Sequence, residues 1–429
     1  MAYYRSVGEV PRTRHTAFRD PAGRLRHEEL MGEEGFSSDS SLLYHQGVPS
    51  AIVDSRVWEL PDLATTPNHP LAPRHLRLHD LPAGGDPVTG RRLVLGNADV
   101  RISYVVADAP SPLYRNAVGD ECVFVEAGSG TVETVFGTLS YRPGDYVVIP
   151  RATTHRWMPA APSDQQGEGD PSRLYVIEAN SHVAPPRRYL SRNGQLLEHA
   201  PYCERDLHGP TEPLVVSTGS TDEGGSTGEG GSTGGGGSTD GEGSTDVEVL
   251  VKHRTSRGIV GTRLTHATHP FDVVGWDGCL YPFTFNVEDF MPITGKVHQP
   301  PPVHQVFEGR GFVVCNFVPR KVDYHPESIP VPYYHSNVDS DEVMLYVAGD
   351  YEARKGSGIG IGSVSVHPGG HAHGPQPSAI EPSIGVEAFD ELAVMVDTFA
   401  PLELGEAGLA VEDPAYAWTW AGRGPATEG

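Results

Sequence analysis

Two histidines and one glutamate in the second half of the chain lie at spacings that could assemble a metal site. They belong to two motifs, His335-x-Asn337-x4-Glu342-x6-Gly349 and Gly362-x5-Pro368-x-Gly370-x2-His373. Residues two apart in a β-strand share a face, so alternate positions can point to one interior site. A Pro-x-Gly turn before His373 would return the chain to that site. Two imidazoles and one carboxylate on one face are the ligand set of non-haem Fe(II) oxygenases, and we expect this chemistry of His335, Glu342 and His373.

The first half of the chain repeats these spacings with different residues. Its motifs are Tyr114-x-Asn116-x4-Glu121-x6-Gly128 and Gly144-x5-Pro150-x-Ala152-x2-His155. Every spacing inside the two motifs agrees, which indicates an internal duplication. Tyr114 takes the place of His335, and Glu121 with His155 alone would make a poor metal site. We therefore predict a structural role for the first half.

The residues around these motifs predict many short β-strands. Glycine and proline number 51 and 38 of 429 residues, above average usage, which favours turns over long helices. Runs rich in β-branched and aromatic residues alternate with Gly, Pro and Asp. They cover residues 100–106, 122–125, 130–136, 146–149, 174–177, 311–317, 343–347, 362–366 and 391–396. Strands of this length and spacing predict β-sandwiches or small barrels.

Composition argues against several function classes. The chain has 56 acidic and 32 basic residues and a net charge of −24, which disfavours nucleic acids and anionic membranes as partners. No apolar run approaches the length of a transmembrane helix, and the first residues lack an apolar signal core. The four cysteines are too scattered for a disulfide framework. We expect a cytoplasmic protein.

One segment differs from all the others in composition. Residues 217–246 comprise twelve glycines, twelve serines or threonines and six acidic residues. Such a segment has no apolar surface to bury and cannot offset the entropy of ordering. We predict a flexible linker or loop insertion.

The duplicated motifs resemble the two sequence motifs of the cupin superfamily, whose fold is a small jelly-roll barrel. The resemblance implies a mainly β bicupin, with two jelly-roll β-barrels in tandem after an irregular N-terminal extension. We expect the extension at 1–90, a first barrel without a complete metal site at 91–216, the linker at 217–246 and a catalytic barrel at 247–429.

The second half is also similar to a narrower family, the homogentisate 1,2-dioxygenases. The segments that carry the resemblance occur in the family's order, and they are Phe271-x-Val-x-x-Trp276-x-Gly278, Phe290-Met-x-Ile293, Pro332-Tyr-Tyr-His335 and His373-Gly-Pro375. The resemblance implies an Fe(2+) cofactor and cleavage of homogentisate (2,5-dihydroxyphenylacetate) by O2 to 4-maleylacetoacetate, in tyrosine and phenylalanine catabolism. It also implies a homo-oligomer, a trimer or a hexamer.

Carried over position by position, the resemblance implies roles for further residues. His335, Glu342 and His373 match the iron ligands. His298 matches the acid–base histidine of the active site. The substrate would contact Tyr351, His373 and His367, the last of which lies beside the metal in the family. An acidic protein also needs a cation for the substrate carboxylate, and Arg320 is our candidate.

The chain departs from the family pattern next to the carboxylate ligand. One additional residue separates His335 from the carboxylate, so Asp341 and Glu342 compete for the ligand position. Glu342 keeps the six-residue step to Gly349 and is the predicted ligand. Ser336 also replaces an arginine of the family.

Other functions stay open at this point. Gentisate- or hydroquinone-cleaving dioxygenases are cupins too, although the three-histidine set associated with gentisate enzymes differs from one containing Glu342. A zinc-dependent isomerase is a further bicupin activity, which the family resemblance disfavours. Storage or binding bicupins lack the ligands in both barrels, whereas only the first barrel has lost one here. The preferred partners are therefore a small aromatic substrate and O2.

Overall fold

The chain folds as a mainly β protein. The computed structural model describes residues 3–160, 171–216, 246–294, 303–331 and 333–424. Apart from Asp246, the predicted linker lies outside these ranges, and so does His298. None of the described helices is long and apolar enough to cross a membrane.

The strands are short, as the sequence predicts. In chain order, β1 to β27 are Arg5–Gly8, His27–Gly32, Ser40–His45, Ile52–Trp58, Thr65–Pro67, Arg74–Arg77, Arg92–Gly96, Val100–Ala107, Tyr114–Asn116, Glu121–Ala127, Gly130–Thr134, Gly137–Tyr141, Asp145–Ile149, Thr154–Pro159, Ser172–Ala179, Val247–Thr255, Gly258–His266, Val273–Gly278, Phe283–Asn286, Gln305–Gly309, Phe312–Phe317, Arg320–Lys321, Asp341–Gly349, Ser363–His367, Ala388–Phe389, Glu391–Thr398 and Glu403–Gly405. The α-helices are α1, Pro377–Ile380, and α2, Glu406–Ala410. Single 3-10 turns cover Glu34–Phe36, Leu78–Asp80, Arg187–Tyr189, Glu204–Asp206, Val287–Asp289, Glu352–Arg354, Glu381–Ser383 and Tyr416–Ala421.

The described strands pair into four larger sheets and one ribbon. Their strand orders are β19-β13-β10-β15-β8-β7-β27-β5, β12-β11-β14-β9-β16-β17-β4, β20-β21-β26-β23-β24-β6, β1-β18-β3-β2 and, for the ribbon, β22-β25. The first two sheets face each other and form the first jelly roll. The six-stranded sheet forms the base of the second. The jelly-roll cupin architecture is thus present, but the sheets face one another rather than close into continuous barrels.

The eight-stranded sheet is buried on both faces and joins the two jelly rolls. On β10, Val123 and Val125 pack into the core of the first jelly roll. Cys122 and Phe124, which point the opposite way, pack with Val314 and residues of the second. A strand buried on both faces needs apolar residues at consecutive positions. The uninterrupted runs at 122–125 and 146–149 therefore reflect this central position.

The two halves exchange strands across the expected domain limit at residue 247. Strands β16 and β17 extend the seven-stranded sheet of the first jelly roll, and β19 extends its eight-stranded sheet. Strand β27, close to the end of the chain, pairs with β7 of that same sheet. The pairing therefore assigns 247–286 to the first half, and the sheet of the second half begins at β20. The composition of residues 217–246 had indicated a domain boundary there. Strand pairing depends instead on which faces become buried, so strands from both sides of this segment share sheets.

The expected irregular extension at 1–90 contributes strands to every large sheet. Its β6 pairs with β24 at the edge of the second jelly roll, while β4 pairs with β17 and β5 with β27. Strands β1 to β3 form a separate sheet with β18. The N-terminal segment is therefore an integral part of both halves.

The duplication is visible in the backbone of both halves. His335 is bridged to His373, and Tyr114 is paired with His155 at the matching positions. The turn before each second motif histidine has a left-handed residue, Gly370 with φ 82° and Ala152 with φ 67°. An alanine in this region carries a steric cost that glycine avoids. The first half thus keeps the turn even where the glycine has been lost.

The buried side chain of His45 connects β3 to β2 and to the residue before β18 in the four-stranded sheet. His45, on β3, is 3% exposed, with Nδ1 at 2.6 Å from Asp272 and Nε2 at 3.0 Å from Glu29 on β2. Burial opposes protonation of His45, but the hydrogen bonds to Asp272 and Glu29 outweigh it and raise its pKa to about 9. The protonated imidazole therefore links two carboxylates.

The stability of this sheet should depend on pH through His45. A histidine pKa raised by folding contributes stability that is fully present below about pH 6.5 and disappears as the pH rises through about 9. We expect the free energy of unfolding of the wild type to exceed that of His45→Gln by about 3 kcal/mol at pH 6, and the difference to shrink by pH 9.5. Denaturant titrations of both proteins measure it. A difference that does not change with pH would contradict the assignment.

Candidate metal centre

Two segments and one strand position the predicted ligands. Glu342 is the second residue of β23, a central strand of the six-stranded sheet. His335 and His373 lie opposite this sheet, where each backbone N–H donates to the other's carbonyl at 2.8 Å. This reciprocal pair holds the two imidazoles side by side, with ring centroids 4.3 Å apart.

The three predicted ligands converge on one point. The Nε2 atoms of His335 and His373 both lie 3.4 Å from Oε2 of Glu342, and one ligand atom from each residue falls within 4.8 Å of the others. The side chains of His373 and Glu342 are buried, while that of His335 is 38% exposed towards the pocket. The spacing of the sequence motifs therefore predicted which residues meet.

His367 stands behind this group rather than at the pocket surface. Its Nδ1 is 3.1 Å from Oε1 of Glu342, its Nε2 is 3.0 Å from the hydroxyl of Tyr416, and its ring stacks on His373 at 4.5 Å. Burial, reinforced by the charge of Arg354, lowers the pKa of His367 to about 3, so the ring is neutral. The sequence predicted His367 beside the metal, and the structure places its ring against His373 and Glu342, two of the predicted ligands. The sequence also predicted that His367 contacts the substrate. Its side chain is fully buried, and both ring nitrogens already contact protein side chains.

Glu342 is ionised although it is buried. Burial alone would raise the pKa of its carboxyl, but the close imidazoles of His335, His367 and His373 outweigh burial and hold the pKa well below its usual range. Asp341 points the other way and accepts the backbone N–H groups of Gly369 and Leu402, each at 2.7 Å. The geometry therefore favours Glu342 over Asp341 as the ligand.

The donor set fits a divalent metal ion. Two imidazoles and one carboxylate on one face match the facial triad of non-haem iron sites. The buried Nε2 of His373 has no hydrogen-bond partner within the described ranges, and a metal ion would satisfy it. A ligating histidine is normally oriented by its other ring nitrogen, and Nδ1 of His373 lies 3.3 Å from the carbonyl of His371.

A cavity of about 540 Å³ opens beside the three ligands. His335, Glu342, Tyr351 and Arg320 line it, so the predicted substrate residues other than His373 and His367 do reach this pocket. Tyr351 packs edge-on against Tyr346 at 4.8 Å, and its hydroxyl is 3.4 Å from the carbonyl of Leu392. His298 falls outside the described residues, so its acid–base role stays a prediction.

Arg320 is already paired within the protein. Its Nη2 lies 2.9 Å from the carboxylate of Glu391 and its Nη1 donates to the carbonyl of Val318 at 3.1 Å. The guanidinium also lies over the rings of Phe317 and Phe389. Glu391, on β26, therefore neutralises the charge of Arg320, the residue predicted to bind the substrate carboxylate.

Among the charged residues that line the pocket, Arg354 and Asp397 are two that the sequence analysis did not select. Arg354 lies in the turn after Tyr351 and is 7% exposed. Asp397, on β26, is the strand partner of Glu342, and burial together with the charge of Glu342 raises the pKa of its carboxyl well above the usual range. An acid that directly follows the apolar run Val394–Val396 within a strand was a usable signal for Asp397. Arg354 stands in a polar loop and had none.

In the first half, the side chain of Arg91 neutralises Glu121, the residue that corresponds to Glu342. Arg91 makes two hydrogen bonds of 2.8 Å to the buried carboxylate of Glu121 and one of 3.2 Å to Glu178, the strand partner of Glu121. Lys252 also contacts Glu178. Burial disfavours the charge of Glu121, but Arg91 outweighs it and lowers the pKa to about 2. A guanidinium thus balances the carboxylate that a metal would balance in the second half.

Glu33, Asp120 and His182 form another group with metal-ligand atoms close together. Both carboxylate oxygens of Asp120 already accept backbone N–H groups, from Arg151 and Val183, at 2.8 Å. Nδ1 of His182 is 3.2 Å from Glu33 and 3.5 Å from Asp120. Contact with Asp120, which outweighs burial, raises the pKa of His182. This group is an ion-paired cluster that joins the extension to the first jelly roll.

The fold and the site together define a bicupin with a two-histidine, one-carboxylate centre in its second jelly roll. A family model described as homogentisate 1,2-dioxygenase C-terminal matches residues 302–423. A protein of Saccharolobus solfataricus named "Putative dioxygenase SSO1533" is 36% identical over 424 residues, which cover 98% of this chain and 99% of that one. The chain belongs to the homogentisate 1,2-dioxygenase family, and this membership supports a dioxygenase activity.

Enzymes named homogentisate 1,2-dioxygenase are more distant. The one from Emericella nidulans is 26% identical over 322 residues, which are 70% of this chain and 62% of that enzyme. The human enzyme is 30% identical over 168 residues, 35% of this chain and 37% of that enzyme. Among solved structures, a cupin 2 conserved barrel domain protein from Leptotrichia buccalis has a TM-score of 0.30 at 9% identity, covering 76% of this chain and 96% of that one. A structural similarity this low adds nothing to the family assignment.

Removing Arg91 should destabilise the first jelly roll. In Arg91→Ala the carboxylates of Glu121 and Glu178 lose their main counter-charge, and leaving a buried charge unpaired typically costs about 3–5 kcal/mol. We expect a loss of this size in the free energy of unfolding by denaturant titration. The neighbouring, exposed Arg92 provides the control, because Arg92→Ala should change stability little. Equal losses in the two variants would show that the buried cluster has no special role.

The two adjacent acids should separate metal binding from stability. Glu342→Gln removes the charged ligand and should weaken binding of Co(II), a spectroscopic probe, by more than about 100-fold, since even residues that only orient ligands change affinity by 10–100-fold. Asp341→Asn should keep Co(II) affinity but lose about 1–3 kcal/mol of stability, because one backbone N–H loses its acceptor. Visible absorbance and thermal denaturation measure the two effects. The reverse pattern would make Asp341 the ligand.

Proposed function

We propose that this protein is an Fe(II)-dependent ring-cleaving dioxygenase that converts homogentisate and O2 to 4-maleylacetoacetate. The observation that carries the proposal is the convergence of His335, Glu342 and His373 beside a cavity, lined by the first two, that is large enough for a small aromatic acid. Membership of the homogentisate 1,2-dioxygenase family supports the choice of iron and of substrate. The place of this reaction in tyrosine and phenylalanine catabolism and a cytoplasmic location are parts of the same proposal.

The cavity walls suit an aromatic ring with polar substituents. Val331, Tyr333 and Phe317 supply apolar surface, while Tyr351 and Arg354 supply hydrogen-bond donors. Apolar walls with a few oriented polar groups are typical of small-molecule sites. A dihydroxylated ring carrying a short acid chain combines both kinds of surface.

The protein's own groups would hold and orient the reactants. When bound, Fe(II) would bring the phenolate and O2 together and transfer electron density between them. His367 fixes the carboxylate of Glu342, and the reciprocal backbone pair of His335 and His373 fixes the imidazoles. His298 would accept the phenolic proton and return one later, since an imidazole pKa near 6.5 suits proton transfer at neutral pH. Both oxygen atoms enter the product.

We also propose a homo-oligomer as the working form, on the strength of the family resemblance. The acidic surface argues against nucleic acid and anionic membranes as partners. The remaining partners are the aromatic substrate and O2.

The reaction can be tested with three related substrates. The protein is prepared without oxygen, loaded with Fe(II), and mixed with homogentisate, gentisate or hydroquinone while O2 uptake is recorded. We expect uptake with homogentisate and, under ¹⁸O2, a product that contains both labelled atoms. If O2 uptake occurs with gentisate alone or with hydroquinone alone, that compound is the substrate and homogentisate is not. The absence of uptake with all three, in protein that retains iron, would leave a binding bicupin.

Two variants distinguish the ligand from the proton acceptor. His373→Ala should lose iron and activity together, whereas His371→Ala, which alters an exposed neighbour, should retain both. His298→Ala should keep iron but lose about 10²–10⁴-fold in kcat, the usual range for general acid–base groups. Full activity of His298→Ala with iron bound would remove His298 from the mechanism.

A further inference from the structure

One buried cation in the cavity has no carboxylate in contact with it. Arg354 is 7% exposed and lines the cavity together with Glu342 and His335. Among the described residues, no carboxylate oxygen lies within 4.0 Å of its guanidinium. Glu342 is close enough to favour the charge of Arg354 electrostatically, but its carboxylate is engaged by three histidines. A buried charge normally has a partner, so the cavity favours an anion at this position.

The guanidinium of Arg354 is held in a fixed orientation. Its Nε donates to the hydroxyl of Tyr346 at 3.0 Å, and its Nη1 donates to the carbonyl of Gly374. The ring of Trp420 lies 5.9 Å from the guanidinium carbon. Gly374 directly follows the ligand His373, so this contact anchors the arginine beside the metal centre. Its Nη2 makes no hydrogen bond to any residue of the described ranges and remains free for a ligand.

The other arginine of the cavity provides a direct comparison. Arg320 is paired with Glu391 at 2.9 Å, and an anion would have to compete with that carboxylate. An anion that approaches Arg354 displaces no protein carboxylate. Two arginines that line one cavity therefore differ in whether their charge is available.

We propose that Arg354, rather than Arg320, binds the carboxylate of the aromatic substrate. The inference builds on the proposed function and defines its substrate class: dihydroxylated aromatic compounds that bear an ionised acid group, in preference to neutral hydroquinones. Arginine presents planar donors that match a carboxylate, and the rigid contacts of Arg354 lower the entropy lost on binding.

The preference can be measured first on the wild-type protein. Isothermal titration calorimetry of the Fe(II)-loaded protein, without oxygen, compares homogentisate with its methyl ester, which has the same ring but no charge. We expect the acid to bind about 100-fold more tightly, the effect of a desolvated charge pair. Similar affinities for acid and ester would overturn the inference without any variant.

Variants then locate the preference. Arg354→Met should reduce the affinity for the acid to that for the ester and leave ester binding almost unchanged, and Arg354→Lys should keep part of the preference because it keeps the charge. Arg320→Met is the matched control and should change acid and ester binding alike. If the preference survives in Arg354→Met, or disappears in Arg320→Met, the assignment to Arg354 is wrong. Should Arg354→Met fail to fold by circular dichroism, Arg354→Lys and the wild-type ratio decide.

This experiment is independent of turnover. A wild-type protein that prefers the acid but consumes no O2 would contradict the proposed reaction and leave the carboxylate site intact. A protein that consumes O2 with homogentisate but binds acid and ester equally would support the reaction and contradict the role of Arg354.

Discussion

A buried carboxylate at the same position of each jelly roll must be balanced by positive charge, and much of the structure follows from this requirement. In the first half, Arg91 balances Glu121. In the second half, His335, His367 and His373 surround Glu342; the ring of His367 is neutral, and a metal ion held by Glu342 and the other two histidines would supply the balancing charge. Because an unpaired buried charge is expensive, neither half can lose its balancing group without a replacement. Both halves therefore keep the buried glutamate, and they differ in the groups that surround its carboxylate.

The predictable part of the site is the part governed by local geometry. Strand alternation and a left-handed turn determine where Glu342 and His373 point, so the spacing of the motifs was enough to predict that they come together. Strand alternation also explains why Asp341 faces away from its neighbour. The exchange of strands between the halves was not predictable, because it depends on which faces become buried when distant segments meet. The pairing of Arg320 with Glu391 has the same origin, since the two residues are 71 positions apart.

The 3-10 segment Tyr416–Ala421 supports the metal centre although it lies outside the segments that carry the sequence resemblance. The hydroxyl of Tyr416 lies 3.0 Å from His367, Nε1 of Trp420 donates to the carbonyl of Pro375 at 3.1 Å, and Gln376 donates to Thr419 at 2.9 Å. These contacts brace the ligand segment from behind. Hydrogen-bond support of this kind tunes metal sites, and it comes from residues with no metal-binding motif of their own.

The pairing of β6 with β24 also constrains the order in which the molecule can assemble. His75 on β6 and Ser363, the first residue of β24, are 288 positions apart, and their side chains meet at 2.8 Å. During synthesis the segment that carries β6 leaves the ribosome long before its partner strand exists, and its backbone groups stay unpaired meanwhile. Contacts between residues so distant in sequence slow folding, and an exposed strand can pair with other chains. The edge strand β6 is therefore synthesised early but can pair with β24 only after most of the chain has been made. Until then it can pair with other chains, so this topology carries a risk of aggregation of nascent chains.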